Sequence, residues 1–397
     1  MSVAQLGEHA KLIRGVTFKP ADKCDPEDEG AVVCMRTKNV QVSLDNSDLI
    51  AIPSAIVKNP EKMISKGDIL VSSANSWNLV GKCCPVRELQ YPSTAGGFIS
   101  ILRPTTECLN SDYLYRWFSS VAIQRRVRSF ANQTTNISNL DHKRTMKLQI
   151  PLPPLAEQKR IAAILDAADA LRTKRRESLA QLDTLLQSTF LEMFGDPVTN
   201  PMGWEVVAFG SIGESRLGKM LDKGKETGDC QFPYLANTNV QWGRFNMNDL
   251  RTMDFTEANR SEFQLEQGDL LICEGGEVGR TAIWREGSEN IFFQKALHRV
   301  RLDQTLATPD YIYFYMWFMA HNGGFSEFTN SATIAHLTGV KLKRLEVPTP
   351  PLDLQNRFVS IVESIEQQKV TQRQHLEELD TLFAALQQRA FNGELTT

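Results

Sequence analysis

A stretch of 47 residues occurs twice in this 397-residue chain, in register, without a gap, 197 positions apart. Residues 150–196 read IPLPPLAEQKRIAAILDAADALRTKRRESLAQLDTLLQSTFLEMFGD, and residues 347–393 read VPTPPLDLQNRFVSIVESIEQQKVTQRQHLEELDTLFAALQQRAFNG. Pro151, Pro153, Pro154, Leu155, Gln158, Arg160, Ile164, Arg176, Leu179, Leu182, Asp183, Thr184, Leu185 and Phe194 all recur as the same residue. Chance does not keep a proline cluster, a helical pattern and an LDTL run in step over that length. A period near 200 is far too long for a solenoid, so the chain is a duplicated domain plus helix. Whatever it does, it does with two of something.

Each copy opens on prolines, PLPPL at 151–155 and PTPPL at 348–352. Proline ends the preceding element and is accepted in a first helical turn, so each cluster predicts the start of a long helix. Ile161, Ile164, Ala168, Leu171, Leu182 and Leu185 in the first copy fall on alternating steps of three and four around a polar middle. Phe358, Ile361, Ile365, Leu379, Leu382 and Leu386 do the same in the second. These are heptad seams. They predict two helices paired as an antiparallel coiled coil, related by a pseudo-twofold axis.

Between the helices the pattern changes to short apolar runs broken by Gly, Asn and Asp: AVVCMRTKNVQVSL, GDILVSS, GGFISILRP, GDLLICEGG, RTAIW and QKALHRVRL. These are strand signals. Each globular part closes with an aromatic, helix-like segment, SDYLYRWFSSVAIQRRVRSF or PDYIYFYMWFMAHNGGFSEF. Distant correspondences join the two parts: Asn39, Val40 and Gln41 with Asn239, Val240 and Gln241; Gly67, Asp68 and Leu70 with Gly268, Asp269 and Leu271; Asp112, Tyr113 and Tyr115 with Asp310, Tyr311 and Tyr313. The expected fold is α+β, with two β-rich globular domains separated by two long helices. The boundaries read as domain 1–148, helix 149–196, domain 197–346 and helix 347–397. Loops that diverge on a shared scaffold point to two related tasks on different targets.

No run of about 18 apolar residues occurs and the first residues lack a signal-peptide apolar core, so the expected location is the cytoplasm, away from membranes. The seven cysteines have no paired CxxC spacing and read as packed, reduced thiols rather than metal ligands. Net charge is −3 overall but unevenly spread: +5 over residues 1–150, 0 over 151–195, −5 over 196–347 and −3 over 348–397. Any nucleic-acid footprint must therefore be local.

Catalytic signatures fail. GGEVGR at 275–280 lacks the Lys-Ser/Thr of a phosphate loop. LPPL and TPPL lack the acid or amide before Pro-Pro and the aromatic after it that an amino-methyltransferase uses. Glu157, Gln158 and Lys159 spell E-x-K without the upstream Pro-Asp of a nuclease, and an acid at a helix start serves the helix dipole. No metal or cofactor is expected to belong to the chain itself. What is present is polar and locally basic: SSANSWN at 72–78 and NQTTNISN at 132–139, with EGGEVGR at 274–280 and NSATIAH at 330–336 as counterparts. Arg125, Arg126 and Arg128, then His142, Lys143 and Arg144, flank the first pair. Arg299 and Arg301, then Lys341, Lys343 and Arg344, flank the second. Side chains of this kind donate to and accept from base edges.

The arrangement resembles the specificity subunit of type I restriction-modification systems, over essentially the whole chain. The residues that carry the resemblance are PLPPLAEQKRIAAILD, LDTLLQSTFLEMFGDP, NPMGW at 200–204 and the terminal LDTLFAALQQRAFNGEL. Two departures stand out: the GW opening is missing from the first domain, and the second domain is acidic. The resemblance implies a non-catalytic recognition subunit that binds double-stranded DNA, each domain reading one half of a bipartite site. The helices would act as a ruler and dock two adenine methyltransferase (M) subunits, with restriction (R) subunits joining through that complex. S-adenosylmethionine and the chemistry would belong to those partners. On this reading Lys38, Asn75, Ser76, Asn132, Gln133 and Asn136 face the first half-site, and Asn239, Glu277, Arg280, Asn330 and His336 the second. Arg126, Lys143, Arg144, Lys341, Lys343 and Arg344 hold phosphates, which positions without specifying. A helix of 40 residues is about 60 Å long, an upper bound of about 18 base pairs between far ends. The alternative is a coiled-coil adaptor between proteins that never touches DNA.

Overall fold

The computed structural model describes residues 2–133, 137–222, 224, 226–285, 287, 290–326 and 336–395. Its packing divides into two compact units. One is Met1–Arg176 with Gln374–Thr397, the other Glu177–Arg373. Each unit is therefore a globular domain together with one part of each long helix, Leu155–Phe194 and Leu352–Asn392.

In the first unit, four antiparallel strands lie in the order Ala10–Arg14, Ile99–Pro104, Ile69–Ser72, Cys83–Pro85. A second sheet orders Ala51–Pro53, Ala31–Met35 and Ser93–Ala95, the last pair parallel. Ile69, Leu70 and Val71 are completely buried, as expected for a continuous apolar run covered on both faces. One face meets the aromatic helix Ser111–Phe118, which is covered in turn by Ile161 and Leu165 of the first long helix and Phe383 of the second. Val3–Gln5 pairs antiparallel with Gln149–Pro151, so the domain closes on itself directly before the long helix.

The second unit repeats this topology. Gly213–Leu217, Leu297–Leu302, Leu270–Cys273 and Thr281–Ile283 form the four-stranded sheet. Arg251–Asp254, Gln231–Leu235 and Phe292–Phe293 form the other, again with a parallel last pair. Val206–Ala208 pairs with Glu346–Pro348 as its closing strands. The matched motifs explain themselves here. Gly67 and Gly268 hold φ of +91° and +93°, a backbone conformation that favours glycine. The aspartates that follow them are buried, and each is gripped by an arginine on the neighbouring strand of the sheet: Arg103 on Asp68 at 2.7 and 2.6 Å, Arg301 on Asp269 at 2.8 Å twice.

Both long helices begin where the prolines predict, and both units show them antiparallel. In the first, Arg172 reaches Asp380 at 2.5 Å and Arg160 donates to the Leu395 carbonyl. In the second, Lys369 pairs with Asp183 at 2.6 Å and Phe358 packs edge-on against Phe190 and Phe194. The buried face keeps Ile161, Phe358 and Ile365 of the expected seam and departs from it toward the LDTL end of each helix. Leu171, Leu185 and Leu382 are about half exposed, whereas Leu165, Leu186, Phe190 and Phe383 are buried. The reason is that each helix is packed by the aromatic helix of its domain as well as by the other long helix, so the apolar stripe is set by both.

Cys34, Cys83, Cys84 and Cys273 are buried thiols. Burial pushes Cys34 and Cys273 up to about 11 and Cys84 to about 12, which leaves them unreactive at neutral pH.

Candidate nucleic-acid interface

In the first unit the polar loops expected to act together are joined by backbone pairing. Ala74–Asn75 pairs with Ser138–Asn139, which pairs in turn with Asn132–Gln133. Asn132 and Gln133 therefore lie one strand away from Asn75, with their side chains exposed. The ribbon is anchored to the main sheet, since Ser73 and Ala74 both donate to the Phe98 carbonyl and Leu140 donates to that of Ser73. The Asn75 amide donates to Ser72 Oγ at 3.1 Å and its oxygen accepts the Ser76 N–H at 2.8 Å, while the Ser76 side chain is exposed. Asn136 lies outside the described residues.

Basic side chains border this ribbon. Gly81, at φ +84°, ends the loop, and a Cβ there would meet Val127 at 2.9 Å. That close approach seats the loop against the helix Val121–Ser129, which carries exposed Arg126. Lys143 and Arg144 are exposed on the short helix His142–Met146, capped by Asp141. The Arg144 guanidinium sits 4.3 Å from the centre of the Phe130 ring, next to the start of the ribbon. Lys38 is already ion-paired with Asp48. At the base of the short helix, His142 Nε2 lies 3.2 Å from Ser100 Oγ; burial, then the charge of Arg14, lowers its pKa below 6.5.

Trp77 and Phe98 are not among the side chains expected to face a ligand. Both are exposed, Phe98 by 62%, on the loops that hold the ribbon. Large rings inside Gly-, Ser- and Asn-rich stretches were the signal available.

The second unit treats its candidates differently. Asn239 is buried, and its amide is fully used: the oxygen accepts the Ala236 N–H, and the nitrogen donates to the carbonyls of Asn246 and Asp249. Asn39 makes the same set with Arg36, Asp45 and Asp48. Asn239 thus builds its turn rather than facing outward, and the correspondence with Asn39 has that structural cause. Glu277 accepts the Trp242 indole N–H at 2.6 Å and pairs with Arg280 at 3.3 Å; Arg280 also donates to the Asn237 carbonyl at 2.8 Å. His336 is exposed, and Lys341 donates to its carbonyl. Lys343 and Arg344 are exposed on the same short helix, Gly339–Arg344. Asn330 lies outside the described residues. Leu337 donates to the Glu274 carbonyl as Leu140 does to that of Ser73.

The model of the type I restriction modification DNA specificity domain matches this chain twice, over residues 1–182 and 201–381. The chain belongs to that family. The two matches follow the two repeats. The EcoKI specificity subunit of Escherichia coli K12 is 26% identical across 99% of this chain and 89% of its own length. The StySPI specificity subunit of Salmonella potsdam is 23% identical across 97% and 87%. Among solved structures, the S subunit of a type I restriction-modification system from M. genitalium superposes with a TM-score of 0.54 at 17% identity, over 98% of this chain and 96% of that one. A chain solved for the complex assembly and conformational transition of a type I R-M system gives 0.58 at 17%, over 99% and 100%. At that identity these structures speak for the fold. No helix among the described residues is long and apolar enough to cross a membrane.

Proposed function

We propose that the chain is the non-catalytic DNA-reading subunit of a type I restriction-modification complex, with each globular domain contacting one half of a bipartite site in double-stranded DNA. The observation that carries this is the ribbon that places exposed Asn132 and Gln133 and half-buried Asn75 beside Arg126, Lys143 and Arg144. Amides read base edges bidentately, and flanking cations neutralise phosphates without reading sequence. In the second domain Glu277, Arg280 and His336 are the base-facing candidates and Lys341, Lys343 and Arg344 the phosphate contacts. The length of the two long helices would set the spacer. Leu171, Leu185 and Leu382, exposed where a closed coil would hide them, support docking of two adenine methyltransferase subunits on the helices. Restriction subunits would join through that complex, in the cytoplasm.

The test is equilibrium binding of the chain, assembled with its neighbouring methyltransferase, to duplex DNA over a range of salt. DNA reading requires affinity to fall by orders of magnitude as salt rises, because several phosphates are neutralised. Assembly with the methyltransferase but no DNA affinity at low salt would leave the protein adaptor as the better account.

A further inference from the structure

Arg116 of the first unit has lost its counterpart in the second. In the first unit this arginine, 5% exposed, donates to Asp166 at 2.6 Å and Asp169 at 2.9 Å. Its guanidinium lies 5.2 and 5.8 Å from the ring centres of Tyr115 and Phe383. It thereby fills the space between the aromatic helix of the domain and the two long helices. Tyr113 and Tyr115 match Tyr311 and Tyr313, so position 116 corresponds to Phe314, and the helix repeat places Glu363 and Glu366 where Asp166 and Asp169 stand.

The second unit therefore keeps both carboxylates and the tyrosine but has no arginine at that position. The Phe314 ring instead packs against Phe190 and Phe358, with centres 5.7 and 5.2 Å away. What remains is a cavity of about 780 Å³ bounded by Trp242, Tyr313, Trp317, Glu363 and Glu366. Its rings are held in place: Trp242 donates to Glu277, and Trp317 stacks on His321 at 4.0 Å. The nearby cations are largely engaged, Lys369 with Asp183 and Glu366, and Arg285 with Asp310. Exposed Arg244 and Arg373 also line the opening, the latter 3.8 Å from Glu366. Glu363 lines the opening as an exposed carboxylate.

We propose that this cavity receives an arginine side chain from a protein partner, supplying from outside the guanidinium that Arg116 supplies internally in the first unit. The twin site shows what the position accepts: a planar cation carried on a polypeptide, paired with carboxylates and laid against aromatic faces. The proposal is independent of the DNA reading.

The full chain labelled with 5-fluorotryptophan tests it by ¹⁹F NMR, with Trp242 and Trp317 assigned through W242F and W317F. N-acetyl-arginine amide should shift those two resonances saturably, while the neutral isostere N-acetyl-citrulline amide should not. Glu363→Gln should weaken the response about tenfold. Phe314→Arg should abolish it by filling the cavity from within; if that variant does not fold, Glu363→Gln alone decides. Equal shifts with citrulline, or no shift of the two resonances with the arginine amide, overturn the proposal. Binding of free arginine in preference to the blocked amide would make the cavity a metabolite site and equally overturn it.

Discussion

The side-chain oxygen of Gln158 accepts the backbone N–H of Asn110 at 2.9 Å, joining the first turn of a long helix to the residue that caps the aromatic helix of its domain. The same amide donates to the carbonyls of Cys108 and Pro153. Gln355 repeats all three contacts with Thr308, Leu306 and Pro350. Both glutamines are completely buried. Gln158→Leu leaves three backbone groups unpaired out of reach of water, at about 1–3 kcal/mol each when unrelieved. The expected result is a loss of about 3 kcal/mol in urea unfolding, with Gln355→Leu giving a matching loss through the other unit.

Asp68 and Asp269 offer a second stability test. Each carboxylate is almost fully buried, takes two charged hydrogen bonds from one arginine, and accepts a backbone N–H, from Ser65 and Glu266 respectively. Asp68→Leu leaves Arg103 only the carbonyls of Glu61 and Met63 as partners and should cost about 3 kcal/mol. The double variant with Arg103→Met should recover most of it, read by comparing the chemical denaturation midpoints of the two.

How much of this was readable in the sequence depended on whether a residue's role is local. The helix starts at Leu155 and Leu352 follow from proline chemistry, and Gly67 and Gly268 from turn geometry, so these came through. The seam did not. Leu185 and Leu186 are adjacent leucines, and only the tertiary covering by Phe314 and its neighbours decides that Leu186 is the buried one. Asn239 looked like a base reader because a turn-building asparagine and a ligand-facing one have the same side chain. Its three backbone bonds separate them, and those depend on residues up to ten positions away. The pairing of Asn75 with Ser138 joins loops more than 60 residues apart; the recurrence of both polar loops in both domains points to binding but not to that pairing.

Positioning and reading contacts separate by their salt dependence. Lys143→Ala with Arg144→Ala should lower DNA affinity for all sequences and reduce the slope of log K against log salt by about 2. Asn132→Ala with Gln133→Ala should leave that slope unchanged and relax preference within one half-site. Competition binding with single-base variants of the target, repeated at several salt concentrations, distinguishes the two.

Two histidines make the fold sensitive to mild acid. Burial is the first cause that lowers both His142 and His298 below the ordinary 6.5. Just below 6.5 the unfolded chain takes up protons that the folded chain refuses, so stability falls as pH drops through that value and toward the folded pKa. Above it both states are neutral and the effect vanishes. His142→Gln with His298→Gln should flatten the dependence between about pH 7 and pH 5. Urea unfolding across that range, for wild type and variant, supplies the comparison.

Two independent readers on one scaffold make the half-sites separable. Methylome sequencing of cells carrying the chain with its methyltransferase, before and after replacing residues 1–148 with the first domain of another specificity subunit, tests it directly. The expected result is a bipartite N6-methyladenine motif in which one half changes while the other half and the spacer stay the same. Simultaneous change of both halves, or no motif from a methyltransferase active with another specificity subunit, would contradict it.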